Sequence, residues 1–268
     1  MRVSVHQFAV GEDKAANLER IAEGVRAAAA AGSRLAVFPE GSMARFWTGA
    51  EAIRAAAEPL DGPFTTRLRA LSREHGIAIV AGMHRPDDGG GAGRVLNTSV
   101  AVDGGELLAS YTKMHLYDAL GFRESDNVTP GGPDAVTFTL DGTVVGLSTC
   151  YDLRFPELYR RLADAGAELV AVSAAWVAGP YKEDHWTTLL RARAIENTVY
   201  VAGSGEVSPA NCGRSTLVDP FGVVLAGLGE TPGWAMAEVD RERLAEVRAK
   251  LPSLRHRRFT VAPDRPDR

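Results

Sequence analysis

Two cysteines in 268 residues, Cys150 and Cys212, are too few for the disulfide framework of a small secreted scaffold, and a chain of this length does not need one. Basic residues are not in excess. The 30 Lys and Arg stand against 34 Asp and Glu, a formal net charge of −4, so no broad positive field points to nucleic acid or to an anionic membrane. The arginines near the C-terminus, Arg255, Arg257 and Arg258, read as a solvated or ion-paired face. Long apolar runs are missing too. The stretch from Ala27 to Ala31 is far too short to span a bilayer, and Met1 to Val10 alternates polar and apolar residues, without a signal peptide's continuous apolar segment. There is no linker and no low-complexity stretch. The expectation is a cytoplasmic protein with reduced thiols.

What is present is the composition of an ordinary folded chain, 45% hydrophobic and 24% charged. The segment from Arg2 to Phe8 alternates like a strand, and Leu18, Ile21 and Val25 recur at helical spacing from about Asp13 to Ala31, with Gly32 at the stop position. A short apolar run, Leu35 to Phe38, leads into Pro39-Glu40. A helix from Phe64 to His75, stopped by Gly76, precedes a strand from Ile77 to Ala81. Gly89-Gly-Gly91 reads as a loop tip and not a phosphate cradle, because no helix opens after it. Asn97 to Val102 and Glu106 to Thr112 form a hairpin about Asp103-Gly104-Gly105. Lys113 to Pro133 lacks periodicity and reads as a long functional loop. Val144 to Thr149, Leu169 to Ser173 and Val199 to Ala202 read as strands separated by helices from Pro156 to Ala165 and Glu183 to Asn197. Strands at Ser215–Val218, Val223–Ala226 and Ala235–Val239 lead to a last helix, Arg241–Lys250. One domain spanning residues 1–268, with two sheets each covered by helices on its outer face, accounts for this alternation.

Three places share one local design, an apolar run ending in a reactive side chain. Phe38-Pro39-Glu40, Tyr111-Thr112-Lys113 and Ser148-Thr149-Cys150 each close a strand, and α/β sheets gather functional groups where strands enter loops. Singly, each residue has a plain structural role: a buried small hydrophobe, a cap, a solvated lysine. Together they make a device. An ammonium favours a thiolate, a carboxylate takes the thiol proton and later activates water, and Lys113 beside the N–H after the nucleophile stabilises an oxyanion. Rival chemistries lack their signatures. His115 and His185 are the candidates for a Cys–His pair, but neither carries a recognisable motif. G-x-S-x-G, C-x-x-C and H-E-x-x-H are all absent, so no serine elbow and no metal site is expected.

These motifs resemble those of the nitrilase superfamily, the carbon–nitrogen hydrolases. Phe38-Pro39-Glu40 is similar to the family's glutamate motif, Tyr111-Thr-Lys113-Met-His-Leu to its lysine motif, and Cys150-Tyr-Asp-Leu-Arg154-Phe-Pro-Glu157 to its nucleophile motif. His185-Trp186, Arg191 to Asn197 and Gly213 to Gly222 also match. The resemblance implies a four-layer αββα sandwich, a homodimer or higher homo-oligomer, and neither metal nor organic cofactor. It implies a second glutamate near the nucleophile. Phe122-Arg123-Glu124-Ser125 resembles the corresponding motif of the Nit-type branch and makes Glu124 the candidate; the alternative is a loop carboxylate paired with Arg123.

Within the Nit-type branch, ω-amidases and deaminated-glutathione amidases take substrates with a carboxylate away from the scissile amide. Arg154 matches a position suited to such a carboxylate, since guanidinium binds it bidentately; the alternative is an ion pair with Asp152 or Glu157. Tyr151, Trp176 and Tyr181 complete the substrate-binding candidates. The segment from Ser173 to Lys182 departs from those enzymes, being bulkier at Trp176 and shorter before Gly179. The expected activity is hydrolysis of a small amide through a Cys150 thioester. Nitrile hydrolysis, N-carbamoyl cleavage and a non-catalytic interaction role are the alternatives.

Overall fold

Local signals set most of the element boundaries. The computed structural model describes residues 1–46, 49–87, 89 and 93–263, so Gly90 and Gly91 of the glycine tip lie outside the described residues. The first strand, β1 (Arg2–Gln7), is followed by α1 (Lys14–Ala30), whose start is held by Asp13: its carboxylate accepts from the backbone N–H of Ala15 at 2.8 Å and Ala16 at 3.3 Å. After β2 (Leu35–Val37) comes α2 (Ala50–Ala56), then α3 (Pro63–His75), with Pro63 in its first turn and Gly76 in the left-handed conformation at its end (φ 63°). The strands β3 (Ala78–Pro86), β4 (Val95–Asp103), β5 (Glu106–Thr112), β6 (Thr137–Leu140) and β7 (Thr143–Thr149) follow. Next are α4 (Pro156–Asp164), β8 (Leu169–Ala174), α5 (Lys182–Asn197) and β9 (Tyr200–Gly205). A small hairpin, β10 (Val207–Ser208) and β11 (Asn211–Cys212), precedes β12 (Thr216–Val218), β13 (Val224–Gly227), β14 (Gly233–Glu238) and α6 (Arg241–Lys250).

The strands form two six-stranded mixed sheets, ordered β14-β1-β2-β3-β4-β5 and β13-β12-β9-β8-β7-β6. Each has three adjacent parallel strands, β1-β2-β3 and β7-β8-β9, flanked by antiparallel ones. Side chains of α1 and α3, such as Ile21, Val25, Phe64 and Leu68, cluster with Ala36, Ile79 and Val100 of the first sheet. Leu158 and Leu162 of α4, with Trp186 and Leu190 of α5, join Val170 and Val172 of the second, in a core that also holds Val3, Val5, Val37 and Val80. The two sheets therefore pack face to face between outer helices, the expected four-layer αββα sandwich.

The inner faces are not wholly apolar. Ser204 Oγ donates to the His6 carbonyl at 2.6 Å, Ser173 Oγ to the Phe38 carbonyl at 2.8 Å, and the Ser99 and Thr149 hydroxyls meet at 3.0 Å. Each bond crosses from one sheet to the other. Buried hydroxyls need such partners, and here they also fix the register between sheets.

Three elements go beyond the sequence reading: α2, β6 and the β10–β11 hairpin. The α2 segment is alanine-rich and buries only Ile53, so it shows no apolar stripe. β3 also runs well past Ala81, to Pro86.

Candidate active site

Glu40 follows β2, where the backbone crosses β3 at Gly82. A β-carbon at Gly82 would collide with the Gly41 nitrogen, so only glycine permits this crossing. The Met43 N–H donates to the Gly82 carbonyl at 3.1 Å and pins the loop. Lys113 leaves β5, its own N–H bound to the Asn97 carbonyl of β4 at 2.8 Å. Cys150 ends β7 with φ 48°, an uncommon left-handed conformation for a non-glycine residue, and opens a 3₁₀ turn, Cys150–Arg154.

Asp152 holds that turn. Its buried carboxylate accepts from the Thr149 N–H at 3.0 Å, the Tyr111 hydroxyl at 2.7 Å, and the N–H and Nδ1 of His115 at 3.0 and 2.8 Å. One carboxylate thus ties the nucleophile's turn to the segments on both sides of Lys113. His115 is committed to Asp152 and stacks on Phe155 at 3.7 Å between ring centroids. Among the described residues, neither His115 nor His185 lines the cleft over Cys150, so a Cys–His pair has no geometric basis.

Glu40, Lys113, Glu124 and Cys150 meet in one buried cluster. Lys113 Nζ donates to Glu40 Oε1 at 3.0 Å and to Glu124 Oε2 at 2.8 Å. Glu40 Oε2 accepts from the Ala175 N–H at 2.8 Å, and Cys150 lines the same cleft beside Glu40, Lys113 and Glu124. Glu124 Oε2 also accepts from the Tyr117 N–H at 2.7 Å. Arg123 pairs instead with Asp126, at 3.5 Å. Asn97, by its sequence only a residue of the Asn97–Val102 strand, bridges the two carboxylates: its Nδ2 donates to Glu40 Oε1 at 2.7 Å and Glu124 Oε1 at 3.2 Å. Its Oδ1 is buried without a partner among the described residues, a cost that marks the amide's orientation as fixed by the carboxylates.

The charges explain the protonation states. Burial alone would drive Lys113 neutral, but Glu124 and Glu40 outweigh it and hold the ammonium well above the usual lysine range. Burial likewise pushes Glu40 up, yet the Lys113 charge, with hydrogen bonds from Lys113 and the Ala175 N–H, carries it below the ordinary carboxylate value. The thiol behaves otherwise than expected. Lys113 does pull it down, but burial and the Glu40 charge prevail and lift it well above its ordinary value. Burial and the nearby Glu40 charge thus favour a neutral thiol at rest over a preformed thiolate.

The cleft above the thiol is narrow, with about 20 Å³ of enclosed free space within about 390 Å³ of empty space that opens to solvent, among the described residues. Its walls include Tyr117, Tyr151, Trp176 and Lys182. Two of the expected substrate-binding residues are placed elsewhere. Tyr181 is 78% exposed and takes the left-handed conformation (φ 60°) just before α5, outside the cleft. Arg154 does not line the cleft either. Its guanidinium carbon lies 4.8 Å from the Trp176 ring centroid and Nη2 lies 3.3 Å from His185 Nδ1; it makes no ion pair with Asp152 or Glu157. Lys182, the last residue of the Ser173–Lys182 segment and not among the substrate-binding candidates, takes the position in the wall. No cluster of three or more His, Cys, Asp or Glu side chains arranged to hold a metal occurs among the described residues.

Comparison with known proteins agrees with this architecture. The carbon–nitrogen hydrolase family model matches residues 2–249. The chain is 43% identical over 259 residues to the deaminated glutathione amidase of Escherichia coli O157:H7, covering 97% of this chain and 98% of that one. It is 37% identical to the mouse (Mus musculus) deaminated glutathione amidase, covering 96% of this chain and 83% of that one. Among solved structures, Saccharomyces cerevisiae Nit3, a member of branch 10 of the nitrilase superfamily, superposes with a TM-score of 0.84 at 28% identity, covering 97% of each chain. The Caenorhabditis elegans NitFhit protein gives 0.90 at 29% identity over 97% of this chain, which spans only 66% of that longer protein. An amidase from Nesterenkonia sp. gives 0.76 at 30% identity, over 94% of this chain and 95% of that one. With the fold, the strand-end motifs and these relatives in agreement, the chain belongs to the carbon–nitrogen hydrolases, as an amide-cleaving hydrolase of the nitrilase superfamily on its Nit-type side.

Proposed function

We propose that Cys150, Glu40 and Lys113 carry out this hydrolysis, with Glu124 as the fourth member of the site. The observation that carries the reading is the convergence of buried Glu40, Lys113 and Cys150 on one cleft, with Lys113 donating to Glu40 at 3.0 Å. Glu40 takes the thiol proton as sulfur adds to the amide carbonyl. The developing oxyanion is held by Lys113 and by the first backbone N–H groups of the 3₁₀ turn, which have no helical acceptor. The proton passes from Glu40 to the leaving nitrogen, the C–N bond breaks, and ammonia or an amine departs from a Cys150 thioester. Glu40 then draws a proton from water, the resulting hydroxide adds to the thioester, and the C–S bond breaks. The acid leaves, and the proton on Glu40 restores the thiol. Glu124 keeps Lys113 charged and placed throughout.

The substrate of this proposal is a small amide bearing a carboxylate, supported by the narrow cleft and by the cationic side chains around Trp176. A panel of short dicarboxylic monoamides, carbamoyl amino acids, nitriles and deaminated glutathione, read as ammonia, acid and carbon dioxide, tests it. Ammonia and acid in equal amounts from amides alone support the reading. Turnover of nitriles in preference to amides, or equal turnover by the Cys150→Ala variant, refutes it. A homodimer, with one domain per chain and a cytoplasmic location, completes the proposal. The exposed Val223, Val224 and Leu225 around β13 support self-association, and light scattering checks it. Among the described residues, no helix is long and apolar enough to cross a membrane.

A further inference from the structure

Lys182 is the least expected residue in the cleft wall. It is the first residue of the 16-residue helix α5 and is 6% exposed. A helix N-terminus carries partial positive charge and favours anions, so an ammonium there is electrostatically misplaced unless an anion joins it. No carboxylate lies within ion-pair distance of Lys182 among the described residues. Its neighbours are aromatic: the ammonium stands 4.9 Å from the Tyr117 ring centroid and 4.8 Å from that of Trp176, and donates to the Tyr117 hydroxyl at 3.3 Å. Ring faces hold a cation without neutralising it. Trp176 is itself fixed, its indole N–H bound to the Lys182 carbonyl at 2.8 Å. A second cation, Arg154, stands 4.8 Å from the centroid of the same indole. Burial, followed by the Arg154 charge, pulls Lys182 below its ordinary value. A bound anion would relieve both effects.

We propose that Lys182 is the specificity-determining cation of this site: its ammonium, aimed into the cleft between Tyr117 and Trp176, receives the carboxylate of the substrate's acyl chain, with Arg154 reinforcing it from outside the wall. The proposal rests on the amidase reading and names the group that selects the substrate. The carboxylate docks on the Trp176 side of the cleft while the amide carbon meets Cys150. Apolar acyl chains without a carboxylate leave the buried ammonium uncompensated and are disfavoured.

The test compares glutaramic acid with its neutral counterpart, the methyl ester of the same monoamide, by ammonia release in the wild-type protein and in Lys182→Gln and Lys182→Arg. For Lys182→Gln the ratio of the two kcat/KM values should fall about 10- to 100-fold, about 1.4–2.8 kcal/mol at 1.4 kcal/mol per tenfold. The fall should lie mainly in KM for the acid. Lys182→Arg should recover part of it. Equal losses on both substrates, or a loss confined to kcat, would show that Lys182 acts on the nucleophile and overturn the proposal. A second arm needs no turnover: calorimetry of glutarate binding to the Cys150→Ala protein, with and without Lys182→Gln. Binding that weakens at least tenfold supports the proposal even if no amide is hydrolysed, in which case the amidase mechanism alone fails. Binding indifferent to Lys182→Gln overturns the carboxylate anchor whatever the activity.

Discussion

Replacing Asn97 by alanine removes a neutral side chain that, like Lys113, donates to both carboxylates of the site. The structure sets the size of the effect. The bond to Glu40 is short, 2.7 Å, and that to Glu124 longer, 3.2 Å. Hydrogen bonds to charged groups are worth about 1.5–3 kcal/mol each. Against that loss stands the relief of Oδ1, buried without a partner, which returns about 1–3 kcal/mol. The net cost in stability is therefore modest, about 2 kcal/mol, or a Tm drop of about 4–8 °C at the usual conversion for a chain of this size. The chemical effect is larger. Without the amide donor, the ionised form of Glu40 loses about 1.5–3 kcal/mol, which raises its pKa by about one to two units at 1.36 kcal/mol per unit. In the wild-type protein Glu40 is held below its ordinary value, so the acid limb of kcat/KM should lie below the usual glutamate pKa of about 4.3. In Asn97→Ala that limb should move up by about one to two units, and kcat on the plateau should fall about 100-fold because the base is no longer held in line. A pH–rate profile over pH 3–8 with a good amide reads both quantities, and a thermal melt reads the stability. A melt that drops while the acid limb and kcat stay in place would refute the reasoning and leave Asn97 a purely structural residue.

Cys150→Ala should abolish turnover while Cys212→Ala keeps most of it; equal losses, measured by ammonia release, would remove Cys150 as nucleophile. Because Cys150 is lifted well above its ordinary value and Cys212 is pushed up to about 12, both by burial first, iodoacetamide should label the folded protein slowly at pH 7 and faster as pH rises; rapid labelling of Cys150 at pH 7 would contradict a protonated resting thiol. Lys113→Met should lower kcat by about 10²–10³, in single-turnover kinetics that separate binding from chemistry. Glu206, buried in the turn before β10 with Oε1 unpaired among the described residues, is raised by burial to about 7. A carboxyl with its folded pKa above its unfolded value of about 4.3 binds its proton more tightly when folded, so its stability contribution is full below pH 4 and is lost as pH rises to 7 and beyond. Glu206→Gln should therefore be more stable than wild type at pH 8 by up to about 3 kcal/mol and equal to it near pH 4.5; denaturant melts at both values check the sign.

The residues that the sequence makes visible are those whose role is local. Glu40, Lys113 and Cys150 each end a strand, and strand endings follow from alternation and from turn residues. The bounds of β5 and α6 in the structure match the periodicity residue for residue. Asn97 and Asp152 are different. Asn97 sits mid-strand in β4, and nothing in its neighbours announces that two carboxylates arrive from residues 40 and 124. Asp152 reads as an arginine's partner until Tyr111 and His115 are folded onto it. The exchange of Tyr181 for Lys182 turns on a single backbone conformation: with Tyr181 left-handed, its ring is exposed and the next residue is the buried one. That choice is tertiary, and no periodicity carries it.

The serine bonds between the sheets, and the arrival of the nucleophile from one sheet and the base and ammonium from the other, make the site a coincidence detector for folding. Residues 1–113 contain Glu40 and Lys113 but not Cys150, and residues 137–227 contain Cys150 but neither Glu40 nor Lys113. During synthesis the ribosome therefore releases a chain whose thiol has no base until the second sheet closes on the first. Even then β14, near the end of the chain, must add to β1 to complete the first sheet. Chemistry switches on last, and the same division supplies a natural split reporter. Two fragments parted between β5 and β6, each silent alone, should regain ammonia release only on reassembly.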